Sequence, residues 1–302
     1  MNNNYQWHSE IISEDLKQLV QVEDEIFSFQ TKFQNVLIQR TSSFGTRLLL
    51  DNKTQSTELD EFIYHESLVH PSLIFHSNPK SVFVAGGGEG ATIREILRYQ
   101  SVENVTMVDI DEEVVKICQQ YLPKHSSGAF DDPRLDLNFD DALIFLKKKK
   151  NKYDVMIIDL PDPLEDGPAI MLYTKEFYEL LKNRLNPGGI IVTQAGPTGP
   201  ILSDQCFNRI AKTMKNVFPE TFVYESFVPS FVSTWGFVIG SLESKNLSVS
   251  EIDSKLLDQK VLDLKYYDGI THQGMFSLSI QMRNVLSEDV DIITSQNPLI
   301  VK

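Results

Sequence analysis

Two carboxylates three residues apart, Asp159 and Asp162, sit in the segment Asp159-Leu160-Pro161-Asp162-Pro163, directly after the apolar run Val155–Ile158. Two prolines stiffen that turn. Carboxylates in a partly dry cleft hold an ammonium group and accept its proton. Turn-forming Asp-Pro accounts for Asp162 without any function, but it does not account for Asp159, which follows the strand. Upstream, Gly86-Gly87-Gly88-Glu89-Gly90 follows the apolar run Ser81–Ala85. Glycines there let the backbone turn sharply and approach a ligand closely. The spacing fits an adenosylmethionine-type G-x-G-x-G and, through Ala91, a dinucleotide G-x-G-x-x-A, and a purely structural turn stays open. Glu89 inside this loop would repel a pyrophosphate. Asp109, 19 residues after Gly90, ends the next strand, where a carboxylate accepts hydrogen bonds from both ribose hydroxyls. Asp140-Asp141-Ala142 follows a third strand, and a carboxylate there either takes the exocyclic amine of adenine or caps the next helix. Asp111, Glu112 and Glu113 suit the amino end of the helix that follows. His65-Glu66 and His70 imitate a zinc motif but are spaced i, i+5, on different helical faces, so no metal is expected.

The elements that must position these loops are legible as a repeat. From Lys80 the pattern is strand, loop, helix: strands at Ser81–Ala85, Val105–Val108, Leu135–Phe139, Val155–Ile158 and Ile190–Thr193, with two more in Thr221–Ser241. This alternation predicts a mostly parallel sheet with helices on both faces, an α/β fold whose ligands bind beyond the carboxyl ends of the strands. Residues 1–60 differ. Short, partly alternating segments at Gln18–Val22, Glu25–Gln30, Asn35–Gln39 and Thr46–Leu50 predict a small antiparallel β domain. A helix follows from about Asp60 to Ile74, with Phe62, Leu68, Val69 and Leu73 on a broad apolar face. The expected division is 1–60 and 61–302.

The 302 residues carry 28 cationic and 42 acidic side chains, a net charge of −14, which argues against sequence-independent nucleic-acid binding and is compatible with cationic substrates. No apolar run is long enough to span a membrane, and Met1-Asn2-Asn3-Asn4 lacks a secretory pattern. The only cysteines, Cys118 and Cys206, read as buried thiols of a cytoplasmic protein.

With its four loops in this order the chain resembles the polyamine aminopropyltransferases, the spermidine synthase family, over roughly residues 7–240. Leu50-Asp51-Asn52-Lys53-Thr54-Gln55, Asp60-Glu61-Phe62-Ile63-Tyr64-His65-Glu66, Gly86–Gly90 and Asp159–Pro163 carry the likeness. Within the family it resembles the thermospermine synthases through Phe62–Pro71, Gly167-Pro168, Leu172–Lys175, Val192–Pro197 and Val228–Gly236. Spermidine synthases usually have Gln where this chain has His65, a carboxylate and a Trp near Gly196 and Gly199, and Tyr at Phe231. Asn52 replaces the usual Gly, and tolerates φ > 0. Pro161 departs from both branches.

The resemblance implies a Rossmann-like, methyltransferase-type doubly wound sheet with a small N-terminal antiparallel β domain. It implies that Gln55, Glu89, Asp109, Asp141 and Ala142 bind decarboxylated S-adenosylmethionine as co-substrate, with Glu89 facing the aminopropyl ammonium, Asp109 the ribose and Asp141 the adenine. Asp159 is then the proton acceptor, Tyr64 and Asp162 hold the amine acceptor, and Gln194 and Trp7 line its channel. No cofactor or metal is implied. The expected reaction is aminopropyl transfer to spermidine, giving thermospermine and methylthioadenosine, in a homodimer. Spermidine or spermine synthase is the alternative within the class, and an S-adenosylmethionine-dependent methyltransferase the alternative outside it. With glycine at 196 and 199, the acceptor channel should be longer and less acidic than in a spermidine synthase.

Overall fold

The computed structural model describes residues 6–163, 167–199 and 206–301; Met1–Asn4 lies outside them. The amino-terminal part forms two sheets where one was expected. β1 (Gln6–Ser13) and β2 (Leu16–Val22) make an antiparallel ribbon, while β3 (Asp24–Gln30), β4 (Asn35–Thr41), β5 (Gly45–Leu50) and β6 (Lys53–Thr57) make an antiparallel sheet in that order. The Glu23 N–H donates to the Arg40 carbonyl at 2.9 Å, which ends β2 and turns the chain onto β4. The β5–β6 hairpin closes through Asp51 and Asn52, with φ of 48° and 63°, a turn in which both central residues are left-handed. Asn52 therefore does the work of the missing glycine, and the turn delivers Lys53 and Gln55 to the cleft.

The large sheet has the order β12-β13-β11-β10-β7-β8-β9. Its strands are β7 (Ser81–Gly86), β8 (Asn104–Asp109), β9 (Leu135–Phe139), β10 (Tyr153–Asp159), β11 (Leu185–Pro197), β12 (Glu220–Val228) and β13 (Ser233–Ser241). The five from β9 to β11 run parallel, and β13 and β12 add antiparallel. Strand residues alternate between two cores: Phe83, Ala85, Met156 and Ile158 pack on one face, and Val82, Val84, Val155 and Ile157 on the other. Burial of both faces is why these strands read as unbroken apolar runs. The strand order reverses between β7 and β10, and the crevice beyond their carboxyl ends is where such sheets bind ligands.

Ten helices are described: α1 (Glu61–His76), α2 (Ala91–Leu97), α3 (Glu112–Tyr121), α4 (Pro123–Ser126), α5 (Ala142–Lys148), α6 (Lys175–Asn183), α7 (Phe207–Val217), α8 (Val249–Asp258), α9 (Gly269–Met275) and α10 (Ile280–Ser287). The helix α1 departs from the one-sided pattern expected of it. It is buried nearly all round, polar residues included, while Phe62 is only partly covered. Pro71 inside it has no N–H to give to the Ser67 carbonyl. The buried Tyr224 hydroxyl donates to that carbonyl instead, at 2.9 Å, so the helix continues without an orphaned acceptor. Residues 246–301 are tied back onto the rest of the chain. Glu66 of α1 accepts the backbone N–H groups of Lys265, Tyr266 and Tyr267 at 2.9, 2.8 and 2.8 Å, and the Val301 N–H bonds the Pro163 carbonyl. No helix among the described residues is long and apolar enough to cross a membrane.

Candidate active site

A cavity of about 580 Å³ opens beyond the carboxyl ends of β7, β8 and β10, within the size range of small-molecule sites. Its floor depends on Gly86. That residue has φ +80°, and a Cβ on it would lie 2.1 Å from the Asp159 carbonyl oxygen. The close approach lets the Gly87 N–H donate to the same carbonyl at 3.1 Å. The glycine loop and the carboxylate loop are thereby joined edge to edge.

Asp159 lies at this junction. Tyr64 Oη of α1 donates to its Oδ1 at 2.9 Å, and Thr92 Oγ1 of α2 donates to its Oδ2 at 2.5 Å. The two donors fix the carboxylate plane. Burial pushes its pKa above the usual carboxylate value and the Glu89 charge adds to this, against the opposing pull of His65, Thr92 and Tyr64. A raised pKa makes a better proton acceptor toward an ammonium. Burial and the adjoining Asp159 raise Tyr64 well above 10, so it stays a neutral donor. Thr92 was not singled out by the sequence reading. Its signal is a hydroxyl in the first turn after the glycine loop, on the face toward β10.

The other loops converge on the same cavity. Glu89, Asp109, Asp141, Ala142 and Gln55 all line it. Glu89 is 8% exposed, and its Oε1 has no aligned hydrogen-bond donor among the described residues. His65 Nε2 lies 2.9 Å from it as an ion-pair contact. A buried carboxylate oxygen without a donor is a ready partner for a ligand's N–H. Burial raises Asp109 to about 6, and its Oδ1 accepts the Asp111 N–H at 2.9 Å. Asp111 caps α3 and is held by Thr31 and Gln34 of the N-terminal part at 2.6 and 3.1 Å, so that part of the chain also fixes this loop. Asp141 caps α5 through the Ile144 N–H at 2.9 Å while facing the cavity. Capping and ligand contact therefore do not compete. Gln55 is oriented by the Lys53 carbonyl at 3.2 Å.

Asp162, Gln194, Trp235 and Phe231 build the opposite side. Burial raises the Asp162 pKa as well. Gln194 has its amide engaged on both ends. Its Nε2 donates to the Leu160 carbonyl at 2.9 Å and Asp162 Oδ1 at 3.2 Å, and lies 2.7 Å from Tyr173 Oη. Its Oε1 accepts from Gly196 N at 2.8 Å and Trp235 Nε1 at 3.0 Å. It is a bracket that orients Asp162 and the indole. Trp235 comes from β13 and packs on Phe231 at 4.8 Å. An indole thus reaches the channel although position 199 is glycine. Sequence reading missed it because the side chain arrives from a strand 36 residues later.

Trp7 is the exception among the expected residues. It does not line the cavity and is 55% exposed. Side chains alternate along β1, so Glu10 and Ile12 face the cavity while Trp7 and Ile11 point the other way. Glu10 was not expected. It is buried, and accepts Thr54 N and Oγ1 at 3.2 and 2.6 Å. His65 and His70 stand in separate networks, the first between Glu61 and Glu89 and the second between Tyr99 and Glu95.

Comparison with known proteins agrees with this geometry. Residues 61–253 match the spermine/spermidine synthase domain, and residues 6–58 match the spermidine synthase tetramerisation domain. The chain is 40% identical to thermospermine synthase ACAULIS5 of Arabidopsis thaliana over 292 residues, covering 96% of this chain and 86% of that protein. It is 44% identical to polyamine aminopropyltransferase 2 of Hyperthermus butylicus over 273 residues, covering 90% and 89%. A spermidine synthase crystallised with the transition-state analogue AdoDATO superposes with a TM-score of 0.85 at 30% identity, covering 93% of this chain and 94% of that one. From these matches and the converging loops, the chain belongs to the spermine/spermidine synthase family and is a polyamine aminopropyltransferase.

Proposed function

We propose that this enzyme transfers the aminopropyl group of decarboxylated S-adenosylmethionine, the co-substrate of its family, to spermidine, giving thermospermine and methylthioadenosine. In this reading Asp109 takes the ribose hydroxyls, Asp141 the adenine amine, and Glu89 the aminopropyl ammonium. An aliphatic amine with a pKa of about 10 is almost wholly protonated at neutral pH and lacks the lone pair it needs. Asp159, aimed by Tyr64 and Thr92, takes that proton. The freed nitrogen attacks the carbon beside the sulfonium, the C–N bond forms as the C–S bond breaks, and the electron pair leaves on sulfur. Alignment of the two reactants supplies several kcal/mol.

The observation that carries the choice of a triamine is Glu10. Glu10 lines the same cavity as Asp159 and Asp162 and adds a carboxylate to the two of the Asp159–Pro163 loop. Lys53 Nζ bonds the Ile11 carbonyl, and its charge also acts on Asp162, so the strand bearing Glu10 approaches from the Asp162 side. A diamine has no third ammonium for a third carboxylate. Incubating the enzyme with the donor and each polyamine, then separating products by chromatography, tests the assignment. Spermidine should be used with a kcat/KM at least about ten-fold above that of putrescine, and the product should co-elute with thermospermine rather than spermine. Equal use of putrescine makes it a spermidine synthase. Placing the spermidine synthase carboxylate at position 196 would be a poor probe of this end, because Gly196 has φ +78° and a Cβ there would lie 3.0 Å from Cys206.

Glu89→Gln checks the donor subsite separately. Loss of a charge-assisted hydrogen bond should weaken decarboxylated S-adenosylmethionine by about 1.5–3 kcal/mol and narrow the preference over the intact form, whose carboxylate Glu89 repels. Calorimetry showing unchanged discrimination would refute the pairing. Trp7, Ile11 and Leu19, each more than half exposed on the outer face of the β1–β2 ribbon, fit burial between copies of the chain. We place the oligomer contact there, and sedimentation distinguishes homodimer from tetramer.

A further inference from the structure

Behind the donor loop lies a second cavity of about 430 Å³, lined by Glu61, Arg94, Glu95 and His125 among others. A chain of charges crosses the wall between the two cavities. Arg94 Nη2 lies 2.8 Å from Glu61 Oε2, Glu61 Oε2 lies 3.1 Å from His65 Nδ1, and His65 Nε2 lies 2.9 Å from Glu89 Oε1. Glu61 faces the second cavity, whereas His65 and Glu89 face the first.

The ring of His65 meets only acceptors. Nδ1 faces the Glu61 carbonyl oxygen at 2.7 Å and its carboxylate at 3.1 Å, and Nε2 faces Glu89. A neutral imidazole donates from one nitrogen only, so either tautomer would set a lone pair against an oxygen. The imidazolium carries an N–H on each side, bonding Glu61 through Nδ1 and pairing with Glu89 by charge at Nε2. We propose that His65 is a positioning residue for the donor: as an imidazolium clamped between Glu61 and Glu89, it holds the Glu89 carboxylate at the cavity wall. This rests on the reading that Glu89 receives the aminopropyl ammonium.

The surrounding groups agree in sign. Burial alone would lower the pKa of His65, but Glu89 and Glu61 hold it well above 6.5. Burial would raise Glu61, but His65 and Arg94 bring it down to about 2. Asp159 adds a negative charge on the cavity side. His125 packs from α4 and is kept neutral by burial. Tyr64 presents its ring at 5.0 Å, near perpendicular. The positive charge on His65 is present at neutral pH and is lost only as pH rises through the elevated pKa.

His65→Gln keeps hydrogen-bonding capacity and removes the charge. Calorimetry should show decarboxylated S-adenosylmethionine binding about ten-fold more weakly, while methylthioadenosine, which lacks the ammonium, changes by less than about two-fold. Turnover at saturating donor should stay within about three-fold of the parent. Glu61→Gln should reproduce the donor effect, and the double variant should be no weaker than His65→Gln alone, because both act through one contact. Nitrogen-15 NMR should show both His65 nitrogens protonated at neutral pH in the parent, and a neutral ring at that pH in Glu89→Gln. A neutral His65 ring in the parent at neutral pH overturns the proposal. So does equal weakening of donor and methylthioadenosine. If Glu89→Gln weakens the donor and His65→Gln does not, the positioning role falls and the donor reading stands. If neither changes donor binding, the donor reading falls with it.

Discussion

Asp159→Asn is expected to fold normally and to lose turnover by about 100-fold or more at pH 7.5. The exchange preserves size and the turn into Leu160, and the hydroxyls of Tyr64 and Thr92 still have a polar partner. What disappears is the group that takes the proton. Only about one acceptor amine in a thousand is free at neutral pH, and that fraction grows roughly ten-fold per pH unit toward 10. The variant should therefore regain rate as pH rises, more steeply than the parent. Methylthioadenosine affinity should change little. Stopped-time assays of methylthioadenosine release across pH provide the check, and turnover within a few-fold of the parent at pH 7.5 would remove Asp159 from the role.

Gly86→Ala should be the most damaging single methyl in the protein. Its left-handed backbone costs about 1–2 kcal/mol for a non-glycine residue. The added Cβ would also meet the Asp159 carbonyl at 2.1 Å, backbone against backbone, where no rotamer change relieves the clash. Overpacking of this kind adds about 1–3 kcal/mol. The melting temperature should fall by about 10 °C, and the surviving folded enzyme should turn over at least about ten-fold more slowly, because the Gly87-to-Asp159 hydrogen bond cannot keep its length. Calorimetric melting together with steady-state rates separates the two losses. A variant that melts and turns over like the parent would show that the junction tolerates separation.

The parallel core of the sheet was legible because strands buried on both faces must be apolar throughout, and each was followed by a helix of clear period. The convergence of Gly86–Gly90, Asp109, Asp141 and Asp159–Pro163 followed from the rule that ligands lie beyond the strand ends. What failed was whatever depends on side-chain direction or on distant elements. Trp7 and Glu10 lie three residues apart on one strand and face opposite ways, and without a known register neither face could be chosen. The indole of Trp235 lines the cavity although position 199 is glycine. The helix α1 hid its character because Tyr64, His65, Glu66 and His70 are polar and buried, so its amphipathic signal is erased by the residues that matter. His65, read as a failed zinc ligand and as a branch marker in place of Gln, turned out to lie between two carboxylates.

Glu66 also has a consequence for how the protein is made. Its partners, the backbone N–H groups of Lys265, Tyr266 and Tyr267, lie 199 to 201 residues downstream. At about 5–20 residues per second, ribosomal synthesis leaves α1 waiting roughly 10–40 s for them. All seven strands of the large sheet exist by Ser241, yet the carboxylate at the centre of α1 still lacks its three donors. Burying it in that state would cost about 1–3 kcal/mol, so the surroundings of Glu66 in α1 are completed only when these residues arrive. Completion of this helix's packing is thereby tied to the arrival of residues 265–267, and a chain cut short before them leaves the Glu66 carboxylate without these three donors.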